Sequence, residues 1–111
     1  ITNACACVNV TCEITFPGGV IPAAVYDEDL VDQVRKTIGE VLGEEKVAKD
    51  CGGGGEDFHY FKQKKPELHA AYIGVGTGVT PGLHDPRMTM NPESLRNGVK
   101  VLEKLILNVV G

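Results

Sequence analysis

A chain of 111 residues, 42% of them apolar, can bury one modest core; three Phe, three Tyr, no Trp and fourteen Gly make that core light and the turns many. The formal charge of -4 argues against a phosphate-binding surface, because the only basic cluster is Lys62, Lys64 and Lys65, so no nucleic-acid partner is expected. No apolar run approaches the roughly 18 residues of a bilayer span, so no membrane partner is expected either, and the absence of a basic leader at Ile1-Thr2-Asn3 leaves a cytoplasmic location as the default for a soluble fragment or processed piece.

Cys5, Cys7 and Cys12 crowd one short segment. Val8, Val10, Cys12, Ile14 and Phe16 alternate with Asn9, Thr11, Glu13 and Thr15, the period-two pattern of a half-buried strand over residues 8–16. Alternation puts Cys5 and Cys7 on one face and Cys12 on the other, so the three do not converge on one metal, and free thiols in a reducing compartment are expected. A redox protein built on them is a poor reading, since no Cys-x-x-Cys opens a helix. Pro17-Gly18-Gly19 ends the strand, and residues 20–26 read as an irregular crossing.

Asp27 is placed to cap a helix, with Glu28 and Asp29 where the helix dipole favours negative charge. Leu30, Val31, Val34, Ile38, Val41 and Leu42 recur at helical spacing, and Gly43 supplies the stop. Residues 46–49 read as a short edge strand. Cys51-Gly52-Gly53-Gly54-Gly55 then leads into Glu56-Asp57 and a helix expected to bury Phe58 and Phe61. No Gly-Lys-Ser or Gly-Lys-Thr follows those glycines, and two carboxylates stand where a phosphate needs positive potential, which excludes a nucleotide-binding phosphate loop.

Pro66 breaks that helix, and residues 70–75 read as a covered strand, punctuated by Gly74, Gly76 and Gly78 at the end where open α/β sheets place their ligands. The next loop, Gly82-Leu83-His84-Asp85-Pro86, holds an imidazole between Pro81 and Pro86, a setting suited to metal coordination or acid-base chemistry. Asn91 caps the last helix with Pro92 in its first position, and Leu95, Val99, Leu102, Ile106 and Val109 draw its apolar stripe. Alternating strands and helices with a glycine-rich edge predict a three-layer α/β domain from about residue 20 onward.

Several of these motifs, in this order, resemble the carboxyl-terminal part of the two-metal amidohydrolases, the aminoacylase and carboxypeptidase relatives that include hippurate hydrolase, N-acyl-amino-acid amidohydrolases and auxin-conjugate hydrolases. They are Gly54-Gly55-Glu56-Asp57-Phe58-His59-Tyr60-Phe61, Pro66, Tyr72-Ile73-Gly74-Val75-Gly76, Leu83-His84-Asp85-Pro86-Arg87 and Asn91. The likeness runs from about Val8 onward.

The resemblance implies a zinc-exopeptidase-like α/β fold present only as its carboxyl-terminal portion. Residues 1–18 would end an inserted α+β lid or dimerisation domain, contributing one strand, and residues 19–111 would belong to the catalytic domain. It implies two divalent ions per full-length subunit, zinc or manganese with cobalt or nickel as alternatives, and a metal-activated water that cleaves N-acyl amino acids or small peptides.

His84 takes the place of a metal ligand. Glu56, Gly55 and Gly54 stand where the family organises its site, and Asp85 stands behind His84, orienting the ring or capping the loop. His59 and His69 match no metal position and read as structural or solvent-facing.

The catalytic glutamate and the other ligands would lie in an amino-terminal half. The expected partners are therefore that half, the substrate and, for the full-length enzyme, a second subunit. One imidazole does not hold zinc tightly, so the fragment alone is expected to be inactive. The alternative is a non-catalytic fragment or degenerate module that packs against a partner or its own missing amino-terminal half. A strand at residues 8–16 without neighbours also predicts fragment-level oligomers.

Overall fold

The computed structural model describes residues 1–49 and 54–111. Among them the chain forms four α-helices: α1 (Thr2–Cys7), α2 (Glu28–Leu42), α3 (His59–Lys64) and α4 (Leu95–Val110). Short 3-10 turns at Glu44–Lys46 and Pro92–Ser94 follow α2 and precede α4. No strand is present among the described residues, and ladder pairing is confined to one isolated antiparallel bridge between Thr80 and Thr89.

The predicted α/β architecture is thereby corrected to an all-helical one. A strand needs a neighbour to bond, and neither residues 8–16 nor residues 70–75 acquire a ladder. Residues 10–27 carry no regular structure, and the expected lid strand is replaced by a helix, α1, ahead of an exposed stretch. The edge strand expected at residues 46–49 is likewise absent, the 3-10 turn taking its first residue. Of the glycine run, Cys51-Gly52-Gly53 lies outside the described residues.

The core sits where α2 crosses α4. Val34, Val101 and Leu105 are buried there, and Ile38, Val41, Leu42, Ala71 and Ile73 pack around them. On α2 the predicted stripe is the one that packs, and Gly43 ends the helix at φ 101°, a conformation that L side chains rarely adopt. Thr37, the most deeply buried side chain, bonds its hydroxyl back to the Gln33 carbonyl at 2.9 Å and so leaves no polar group unsatisfied.

On α4 the core takes a different face from the predicted stripe. Val101 and Leu105 are buried, whereas Leu95, Val99, Leu102, Ile106 and Val109 are exposed, Ile106 at 60%. The helix is apolar over a wide arc, and only one side of that arc finds a neighbour. Gly98 lets the 70–76 segment come close, since a Cβ there would sit 2.9 Å from Val75.

The result is spread out. The Cα radius of gyration is 19.6 Å, against about 13 Å for a compact chain near this length. Accessible surface is 9043 Å², where a compact 11.9 kDa monomer would expose roughly 5,900 Å².

Candidate functional site

His84 stands in an exposed turn with φ 67°, in the left-handed region where His is found more often than most non-glycine residues. The neighbouring Asp85 carboxylate is committed to Arg87, accepting from its backbone N at 2.8 Å and from Nε and Nη2 at 3.1 Å each. The Arg87 side chain, then its N–H, holds that carboxyl below the usual carboxylate range. This is a closed local turn clamp.

Glu56 is exposed, and its carbonyl accepts from His59 N at 3.1 Å at the entry to α3. Gly54 is also exposed, and Gly55 passes against Ile21, whose Cδ1 would lie 3.0 Å from an added Cβ. Among the described residues no group of three or more His, Cys, Asp or Glu side chains is placed to hold a metal ion. The donor set therefore does not fit a two-ion centre, and the expectation of two divalent cofactors is corrected. With it go the metal-activated water, the hydrolase and peptidase reading, and the substrate, subunit and amino-terminal-half partners inferred from that reading, since the α/β scaffold that would carry them is not formed among the described residues.

The side chains that the fold does bring together are others. Asp27, expected to cap α2, makes no side-chain cap bond. Its carboxylate instead accepts from Lys62 Nζ at 2.8 Å on each oxygen and from Ala70 N at 2.7 Å. Asp27 N in turn donates to the Ala70 carbonyl at 3.1 Å, and Lys62 also donates to the Leu68 carbonyl. His69 Nδ1 lies 3.6 Å from the same carboxylate.

This clamp ties the start of α2 to α3 and to the 70–76 segment. Lys62 donation, then the Ala70 N–H, lowers the Asp27 carboxyl below its ordinary value. The sequence signal for it was ambiguous, because an aspartate before a helix looks like a cap and Lys62 looks like one of three solvated lysines.

Beside the clamp lies an aromatic group. His59 is buried, its Nδ1 lies 3.4 Å from Tyr26 Oη, and its ring meets Tyr26 and Tyr72 edge-on. Phe58 is half-buried against Tyr72, while Phe61, expected inside, is 61% exposed. Tyr60 donates to the Val20 carbonyl and tethers the irregular crossing.

Two open grooves flank the 70–76 segment. One, about 290 Å³, runs between α2 and α4 and is lined by Ile38, Leu42, Ile73, Val75, Val101 and Leu102. The other, about 390 Å³, is walled by Val31, Val34 and Ala71 on the α2 side. Both are mainly apolar, and neither holds convergent catalytic groups.

No helix of the described residues is long and apolar enough to cross a membrane. A family model described as peptidase family M20/M25/M40 matches residues 3–108. No curated protein and no solved structure matches the chain. The narrower likeness to hippurate, N-acyl-amino-acid and auxin-conjugate hydrolases is corrected by the fold, since the helical architecture of the described residues departs from the α/β architecture it implied.

Proposed function

This chain belongs to peptidase family M20/M25/M40, and from that premise we propose that it is a non-catalytic fragment that works by packing its apolar surface against a protein partner. The observation carrying this is the uncovered face of α4, where Leu95, Val99, Leu102, Ile106 and Val109 are all exposed on a helix whose other side already forms the core. The surface in excess of a compact monomer, roughly 3,000 Å², is well above the approximately 800 Å² that one partner contributes to a standard interface. An apolar partner surface suits this face, because a charged one would be desolvated without compensation.

A cytoplasmic location is part of the proposal. Cys5, Cys7 and Cys12 are free thiols, which a reducing compartment preserves.

Photo-crosslinking tests the reading. A photoreactive residue placed at Ile106 is expected to yield a protein adduct in cells, and the same residue at Lys36, on the exposed side of α2, to yield none. Equal labelling at both positions overturns docking through α4. The purified chain, supplied with zinc or manganese, is expected to show no turnover of N-acyl amino acids. Turnover overturns the non-catalytic reading.

A further inference from the structure

Helix α4 keeps one spacing along its uncovered side. Leu95, Val99, Leu102, Ile106 and Val109 follow one another at intervals of four, three, four and three residues, and each is exposed. That alternation is the heptad repeat of a narrow seam, into which a second helix sets its side chains as knobs into holes. Val99 and Ile106 fall at the a places of the heptad, and Leu95, Leu102 and Val109 at the d places. β-branched residues at a with leucine at d favour two strands in parallel coiled coils, and Val109 alone departs from that mix. The seam therefore suits one further helix. From Leu95 to Val109 it runs about 21 Å at the ordinary helical rise, so its partner needs about four turns.

One flank of the seam carries charge in a fixed order. Arg96 and Glu103 stand at the first two e places, one heptad apart, opposite in sign and both exposed. Arg96 reaches Glu93 at 3.1 Å, but both side chains of that pair are largely exposed, so it holds the guanidinium weakly. The other flank belongs to the protein's own core: at the g places Leu105 is buried, and Val75 packs where a Cβ on Gly98 would sit. In a parallel pair each e place faces a g place of the partner, and charges there set partner choice and orientation. A second copy of this chain would bring uncharged Asn91 and Gly98 opposite Arg96 and Glu103. A different helix, with an acid at one g place and a base at the next, matches both charges.

We propose that the partner of α4 is a single amphipathic helix of another protein, laid parallel along this seam, with apolar residues in heptad spacing and an acidic then a basic residue at successive g places. The inference rests on the docking role of α4 and adds the chemistry of what docks there. The apolar seam supplies the attraction, and Arg96 and Glu103 select the partner's charge order and direction.

The probe is a fluorescein-labelled synthetic peptide of roughly three heptads, with isoleucine at a, leucine at d, glutamate at the first g, lysine at the next, and alanine or glutamine elsewhere. Titrated with the full chain and followed by anisotropy, it is expected to bind saturably, and a peptide with the glutamate and lysine exchanged to bind several-fold more weakly. The double variant Arg96→Glu and Glu103→Arg should reverse that preference, an outcome that a change in folding does not produce. Leu102→Glu should abolish binding of both peptides. Absence of binding by either peptide, equal binding of the two, no reversal in the double variant, or self-association of the chain through α4 in sedimentation would each overturn the proposal. So would α4-dependent adsorption to phosphatidylserine vesicles in place of peptide binding. If both peptides fail while the photoreactive residue at Ile106 still yields a protein adduct, the helix partner is wrong and the docking role stands; if the adduct is missing as well, both fall.

Discussion

Asp27 is the residue on which the arrangement around α2 turns, since one carboxylate holds Lys62 of α3 and the Ala70 amide. Its pKa is lowered in the folded chain, so over the acid range the unfolded state binds more protons and stability rises with pH. The contribution is fully present above the ordinary aspartate value of about 3.9 and is lost as pH falls through the lowered folded value. Denaturant titrations at a series of pH values should show that acid slope in the parent chain and a shallower one in Asp27→Asn. An identical slope in both would place the acid sensitivity elsewhere. At His84 the backbone decides: glycine tolerates φ 67° and a β-branched residue does not. His84→Gly is expected to stay within about 0.5 kcal/mol of the parent and His84→Val to lose at least about 1 kcal/mol in urea unfolding.

Helices α2 and α4 show how far a period can be read. Both were legible because apolar residues recur at helical spacing between clear stops: Gly43 after α2, and Asn91, which accepts from Glu93 N at 3.1 Å, before α4. Which side of α4 packs was not legible. Val99, Val101, Leu102, Leu105 and Ile106 give two adjacent apolar stripes, and only contact with α2 chooses between them. The choice can be measured by substitution. Leu105→Ala should cost about 2–3 kcal/mol through a cavity at the α2 crossing, and Ile106→Ala less than about 0.5 kcal/mol in the isolated chain. Equal costs would mean that the outer stripe is covered. The strand pattern at residues 8–16 was equally regular, yet alternation reports only which faces a strand would have, while ladder bonds come from a neighbour that this fold does not supply.

At the scale of the molecule, extension is the property that function must account for. Small-angle scattering of the isolated chain should return a radius of gyration near 19.6 Å and well above the compact value of about 13 Å. The exposed α4 stripe should bind a hydrophobic dye strongly, and the pair Leu102→Glu and Ile106→Glu should abolish most of that signal while circular dichroism keeps its helical content. A compact radius with weak dye binding would remove the basis for a docking face. The expected pair of divalent ions is corrected at this scale. The order of Glu56, His84 and their flanking motifs is a linear signal, whereas a two-ion centre requires donors converging in space, and among the described residues no group of three or more His, Cys, Asp or Glu side chains does so.

The sequence by itself determined the family, whose model matches residues 3–108, and the existence of α2 and α4 with the stop at Gly43. These depend on residue order and local periodicity, which no neighbour can change. Only the tertiary structure decided that apolar runs with strand-like patterns stay unpaired, that Asp27 clamps Lys62 and Ala70 instead of capping its helix, and that α4 turns Val101 and Leu105 inward. Each of those outcomes depends on a partner distant in sequence, and the free energy of burial and of a ladder bond is realised only when that partner is in place.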